Sequence, residues 1–261
     1  MPSDKPSEGQ FKKVAGEFTL RSLDEEVRDS SLLKLASDLL PKLGSQWNVH
    51  SLAFLKRQSL SRILYYNHIY EKALNIPGVI CEFGVLWGAT TSLLINLRGL
   101  YEPFNHTRKI FSFDTFEGFP SVHPEDGSMV TVGDYATSVG YEILLNELLE
   151  LHESFSPLPH IRKFELVKGD VSQTFPVWLE QNPHGVVSLA IFDMDIYKPT
   201  RDVLELIIPR LTKGSVLVFD EINCAPFPGE TVAVQEILGL NNIALRRLPY
   251  QPWGAWAIFG E

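Results

Sequence analysis

Apolar positions recur at helical spacing from Ser31 onward: Leu32, Leu35, Ala36, Leu39 and Leu40 share one face, and Pro41 stops the run. A second, longer helix is expected from a cap at Ser51, through Leu60, Ile63, Leu64 and Leu74, to Pro77-Gly78. Beyond Gly78 the pattern changes. Short apolar runs bounded by turn residues at 79–83, 110–113, 164–167, 186–192 and 215–219 predict strands. Helical spacing at 90–100, 141–152, 171–180 and 200–211 predicts helices between them. Strands that read as continuous apolar runs, alternating with helices, are those of a parallel sheet covered on both faces. A helix at 231–238 and two runs at 243–248 and 255–259, with Pro249 and Pro252 between them, predict a closing hairpin. The expected fold is therefore α/β: a doubly wound, mostly parallel seven-stranded sheet behind a helical N-terminal extension. The expected division is 1–77 as arm and helices, serving as a cap or for oligomer contacts, and 78–261 as the core.

Residues 115–140, rich in Gly, Pro, Ser and Asp, separate one predicted strand from the next helix. A loop of that length in a compact domain is a lid, a binding loop or a disordered piece. It starts at a strand's carboxyl end, where ligands sit in such sheets, so it reads as a lid.

Composition narrows the partners. The 261 residues are 44% hydrophobic and 21% charged, which describes a globular chain, and the formal charge is −9. So acidic a chain repels phosphate backbones and anionic lipid, and Lys12-Lys13 and Arg246-Arg247 are pairs rather than basic stripes. Neither nucleic acid nor membrane is expected as a partner. The apolar runs are too short to span a bilayer, and the first six residues are polar with no apolar signal region behind them. The two cysteines, Cys81 and Cys224, have no CxxC spacing, and Cys81 reads as a core residue. A cytoplasmic, reduced protein is expected, so Asn105-His106-Thr107 is discounted as a glycosylation acceptor.

Three groups of residues carry candidate chemistry. Glu82-Phe83-Gly84-Val85-Leu86-Trp87-Gly88 closes the first core strand and opens a helix, with glycines that let backbone approach a ligand. It lacks the G-x-G-x-x-G spacing, and an acid at Glu82 suits a cation or amino group better than a pyrophosphate. The sulfonium and ammonium of S-adenosylmethionine fit that acid better than NAD does. Asp114 ends the second core strand, thirty-two residues on, where an acid accepts the ribose hydroxyls of a nucleoside or else caps the following turn. The third group is Asp193, Asp195, Asp220 and Glu221, which end the fourth and fifth core strands. In a doubly wound sheet these acids converge with Glu82 on one crevice. Carboxylates without His or Cys select a hard cation, Mg²⁺ first. The alternative makes Asp195 a helix cap and Asp220 part of a turn. His123, in the loop, can reach a substrate or stay solvated. There is no G-x-S-x-G elbow and no Walker loop, which removes hydrolase and P-loop chemistry.

Four blocks together resemble the macrocin/mycinamicin-type (TylF-like) S-adenosylmethionine-dependent sugar O-methyltransferases of antibiotic biosynthesis, a class I, Rossmann-like family. They are residues 81–88, the Asp114-Thr115-Phe116-Glu117-Gly118-Phe119-Pro120 block, residues 192–202, and residues 214–221. The resemblance runs from about Phe54 to Gly239. It implies that Glu82, Phe83, Gly84, Val85, Leu86 and Gly88, with Asp114, Thr115, Phe116, Glu117 and Gly118, contact S-adenosylmethionine. Gly169 and Asp170 then take the adenine side. It further implies that Asp193, Asp220 and Glu221 bind Mg²⁺, with Asp193 also the base. The family has Asp-Asp where this chain has Asp220-Glu221, one methylene longer. The implied partner is a small glycosylated acceptor, and the implied state is a homo-oligomer. The rival functions are metal-dependent methylation of a phenol or catechol, a nicotinamide oxidoreductase on the same architecture, and a catalytically silent binding protein.

Overall fold

The computed structural model describes residues 11–261, so the first ten residues of the expected arm lie outside it. The chain divides into two compact units, Met1–Arg62 and Ile63–Glu261, with the division inside a helix rather than at the expected 77/78 boundary.

The first unit opens with a hairpin that the hydrophobic pattern does not announce. Strands β1 (Lys12–Val14) and β2 (Glu17–Thr19) pair antiparallel around Ala15-Gly16, both at positive φ, as a two-residue turn of the primed type requires. Helix α1 (Leu23–Leu39) begins well before Ser31, because Ser22 and Glu25 form a reciprocal capping box. The expected Ser51 cap is not formed. Instead α2 (Trp47–His50) runs into a 3₁₀ turn at Ser51–Phe54, and a fresh helix, α3 (Arg57–Ala73), starts after it.

The second unit is the doubly wound sheet. Its strands and helices alternate as β3 (Val79–Phe83), α4 (Ala89–Tyr101), β4 (Ile110–Asp114), α5 (Tyr141–Ser154), β5 (Phe164–Lys168) and α6 (Val171–Gln181). They continue as β6 (Val187–Phe192), α7 (Tyr197–Ile207), β7 (Leu211–Phe219), α8 (Pro228–Ile237) and β8 (Ala255–Ile258). The sheet order is β5-β4-β3-β6-β7-β8, with only β8 antiparallel. Six strands, not seven, make this sheet among the described residues. The run at 243–248 meets the sheet through one antiparallel bridge, Arg246 to Trp256, because polar Arg246-Arg247 interrupt it.

Residues of the two sheet faces separate cleanly. Ile80, Ile110, Leu189, Ile191, Val216 and Val218 pack with Tyr65, Tyr66, Ile69 and Tyr70 of α3 and with α4 and α5. Cys81, Phe83, Phe113, Ala190, Phe192 and Phe219 pack with α6, α7 and α8. Pairing register places Phe113, Phe83, Phe192 and Phe219 side by side across β4, β3, β6 and β7. Their rings are 5.2–5.4 Å apart, each aromatic contact adding about 0.5–1.5 kcal/mol beyond burial. The residues that follow this row are Asp114, Gly84, Asp193 and Asp220. A rigid apolar row thus sets the level at which the polar ones emerge.

Candidate active site

Gly84 stands at the crossing of the switch point, where β3 neighbours β6. A Cβ there, at φ +94°, would lie 1.7 Å from the Asp193 carbonyl oxygen, so only glycine permits the two strand ends to meet. The turn behind it is held by Asp114. One Asp114 oxygen accepts the N–H groups of Val85 (2.6 Å) and Leu86 (2.9 Å), and the other accepts that of Phe116 (2.6 Å). Asp114 therefore ties the turns after β3 and β4 together, and Leu86 and Phe116 keep left-handed backbones within them. Its alternative reading as a turn cap is realised, and one lone pair at most is left on Oδ1 for a ribose hydroxyl.

Glu82 points to the α4 face of the sheet and is 1% exposed. Its Oε2 accepts hydrogen bonds from Thr91 (2.5 Å) and Ser112 (2.7 Å). Phe83 is in the core, so it offers the crevice backbone only. Gly88, left-handed, begins α4. Gly169 donates its N–H to the Asp114 carbonyl, and Asp170 caps α6 by accepting the Ser172 N–H (2.9 Å).

The loop at 115–140 is internally built. Thr115 accepts the Glu117 N–H and donates to the Gly118 carbonyl, while Glu117 bridges to Ala136. Phe119 donates its N–H to the Asp134 carbonyl and accepts that of Gly133. A 3₁₀ turn at Pro124–Asp126 fastens the loop to α7: buried Asp126 accepts the N–H groups of Tyr197 (2.5 Å) and His123 (2.6 Å). The His123 ring stacks on Tyr197, centroids 4.5 Å apart.

Three acids gather, but not the implied set of Asp193, Asp220 and Glu221, and Glu82 is not among them. Carboxylate oxygens of Asp193, Asp195 and Glu221 lie within 4.8 Å of one another. Asp195 is not a helix cap; that role at Tyr197 falls to Asp126. Its left-handed backbone, φ +63°, turns the side chain into the cluster instead. Asp220 lies outside the trio among the described residues, although its charge acts on Asp195 and Glu221. Burial, with repulsion from Asp220, pushes the Asp195 carboxyl up to about 7, against a hydrogen bond with Glu221. Burial first, then the charges of Asp195, Asp220, Glu230 and Asp193, hold Glu221 well above the usual carboxylate range. Among the described residues, buried oxygens of Asp220, Glu221 and Glu230 have no hydrogen-bond partner. Cys224 is buried nearby, its thiol pushed up to about 11 by burial, which leaves it unreactive.

Glu230 was not anticipated from the sequence. The signal lay in Pro228-Gly229-Glu230 opening α8, since a proline at the first helical position fixes where the next side chains point.

A parallel sheet closed by one antiparallel strand, with a glycine turn after β3, an acid closing β4 and carboxylates after β6 and β7, has the architecture of a class I methyltransferase. The family model described as macrocin-O-methyltransferase (TylF) matches residues 38–243, and this chain belongs to that family of S-adenosylmethionine-dependent O-methyltransferases. The mycinamicin III 3''-O-methyltransferase of Micromonospora griseorubida is 28% identical over 230 residues, 84% of this chain and 78% of that protein. A crystal structure of CalS11, calicheamicin methyltransferase, superposes with a TM-score of 0.86 at 38% identity, covering 92% of this chain and 95% of its own. Its apo structure, described as a TDP-rhamnose 3'-O-methyltransferase of calicheamicin biosynthesis, gives 0.79 at the same identity. The O-methyltransferase NovP shares the fold, with a TM-score of 0.59 at 20% identity over 76% of this chain and 79% of that one.

Proposed function

We propose that this enzyme transfers the methyl group of S-adenosylmethionine to a sugar hydroxyl of a glycosylated natural product in antibiotic biosynthesis. The observation that carries the reading is the cluster of Asp193, Asp195 and Glu221 beside the Gly84 turn, in a chain whose relatives are named for sugar methylation. The cofactor takes the crevice between the turns at 84–88 and 114–118, with Gly169 and Asp170 on its adenine side. Glu82, held by Thr91 and Ser112, contributes mainly field and position there.

The acid cluster fits a hard divalent cation: all donors are carboxylate oxygens, and among the described residues a buried oxygen of Glu221, like one each of neighbouring Asp220 and Glu230, lacks a hydrogen-bond partner. Asp193, Asp195 and Glu221 would hold Mg²⁺, with Asp220 behind them. When bound, the cation polarises the hydroxyl and makes it a stronger acid. Asp193 accepts the hydroxyl proton while the oxygen forms its bond to the methyl carbon and the carbon–sulfur bond breaks, leaving S-adenosylhomocysteine. The transfer is an in-line displacement, so the enzyme mainly fixes oxygen opposite sulfur. The loop at 115–140 serves as the lid that excludes water.

Titration calorimetry with S-adenosylhomocysteine, with and without Mg²⁺, followed by methyl transfer to glycosylated acceptors, tests this reading. Micromolar binding and turnover are expected; no binding under either condition removes it. Asp193→Ala is expected to abolish turnover and keep S-adenosylhomocysteine binding, and retained turnover would remove Asp193 as base.

A second acceptor class is favoured by the 38% identity to a TDP-rhamnose methyltransferase: a deoxysugar still attached to its nucleoside diphosphate. Turnover of the nucleotide sugar but not of the finished glycoside would select it. The enzyme is further proposed to be a cytoplasmic homo-oligomer. The two thiols are free, and Leu23, Val27, Leu33 and Leu35 of α1 expose apolar surface that a second copy would cover, which light scattering measures directly.

A further inference from the structure

Of the carboxylates elsewhere in the second unit, Glu82 and Asp126 are satisfied by hydroxyl or backbone N–H donors, and two others have cationic partners. Glu153 lies between Arg98 and Lys163, and Glu102 is paired with Arg108. Glu230 has none among the described residues. It is fully buried on α8, and its Oε1 accepts the Glu221 N–H at 2.9 Å. Its Oε2 is enclosed and, among the described residues, without a hydrogen-bond partner. The charges that act on it are those of Asp220, Asp195 and Asp193, all acids.

The backbone is shaped to put it there. A Cβ on Gly229 would lie 2.4 Å from the Asp126 carboxylate and 2.5 Å from the Tyr197 nitrogen, so the start of α8 closes on the start of α7 only with glycine at that place. The next residue is then delivered to the back of the acid cluster. A buried carboxylate facing only acids opposes folding, whereas the same side chain with a cation in the cluster becomes favourable. A glutamate kept at such a cost, on a helix brought in by a dedicated glycine, is placed for charge.

We infer that Glu230 is a fifth carboxylate of the divalent-cation site, acting with Asp193, Asp195, Asp220 and Glu221 and setting the Glu221 backbone by its hydrogen bond. This rests on the cation reading above and adds a residue to it. As a neighbour of ligands rather than a member of the 4.8 Å trio, Glu230 is a positioning residue.

The test is Mn²⁺ binding, read from the free-ion electron paramagnetic resonance signal, together with the thermal midpoint of the metal-free protein. Glu230→Gln keeps the shape and an acceptor for the Glu221 N–H but removes the charge. Its Mn²⁺ affinity is expected to fall by about 10- to 100-fold, with a metal-free midpoint equal to or above that of the parent. Glu230→Asp, which keeps the charge, is expected to bind Mn²⁺ more tightly than the Gln variant. Metal-free S-adenosylhomocysteine affinity should be the same in all three. Unchanged Mn²⁺ affinity in Glu230→Gln, or a lowered midpoint, overturns the assignment and makes Glu230 a packing residue. Failure of the parent protein to bind Mn²⁺ overturns the cation reading itself, a distinct result.

Discussion

At the scale of single residues, the site depends on side chains with two duties, and only one duty can be read from a motif. Asp114 stands where a nucleoside-binding acid is expected, yet it also holds three backbone N–H groups of the neighbouring turns. Asp195 reads as well as a helix cap as it does a ligand, because its role is decided by a left-handed backbone that no spacing reveals. Glu230 was illegible because it arrives from a helix beyond the motifs. Gly84, in contrast, was legible and is the most constrained residue of the site. Gly84→Ala would drive a methyl group into the Asp193 carbonyl, which backbone alone can relieve. Separating β3 from β6 is expected to cost upward of about 4 kcal/mol, in the severe tail of single substitutions. Urea unfolding measures that loss. Calorimetry should show S-adenosylhomocysteine binding lost even where the variant stays folded, and retained tight binding would mean that the turn is not the cofactor cradle.

At the scale of elements, legibility followed burial. The five parallel strands were found within a few residues because strands covered on both faces are apolar throughout, as β6 shows with every residue buried. β1 and β2 are three residues each with charged positions, too short and polar for such a signal. Helix ends failed where a cap or proline, not periodicity, decides them: Ser22 starts α1 early, and the Ile208–Arg210 turn around Pro209 ends α7 before the sequence pattern does. The loop at 115–140 was legible as a loop only. Its order comes from hydrogen bonds within the loop and from Asp126, which stitches it to α7. Asp126→Ala leaves the Tyr197 and His123 N–H groups without that acceptor, at about 1–3 kcal/mol for each buried donor. The expected result is a protein less stable in urea and cut faster by limited proteolysis within 115–140. Unchanged cleavage would show that the stitch does not hold the loop.

At the scale of the whole molecule, the doubly wound sheet confines acids of two strands and a helix to one end, and the metal-free protein must bear their repulsion. Asp195, raised from its ordinary 3.8 to about 7, shows how pH enters. A carboxyl with a raised value binds its proton more tightly in the folded state than in the unfolded one, so its contribution to stability falls as pH rises from about 4 to about 7. His68 and His152 work in the opposite direction, since burial lowers both and unfolding takes up protons near pH 6. Glu102, lowered by its Arg108 and Tyr70 partners against burial, adds stability only as pH rises through the acid range. The raw pH profile therefore mixes signs, but the difference between the parent and Asp195→Asn does not. Asn tolerates the left-handed backbone as well as Asp and never carries the charge. In metal-free buffer the variant should melt above the parent at pH 8, and the gap should narrow as pH falls below about 7 and close near pH 4, where Asp195 becomes protonated in the unfolded state as well as the folded one. Saturating Mg²⁺ at pH 8 should narrow the gap again by raising the parent more than the variant, because the variant lacks a ligand. A variant that melts below the parent at pH 8 without metal would mean that the cluster does not strain the fold, and that the acids are reconciled by hydrogen bonds rather than by a cation.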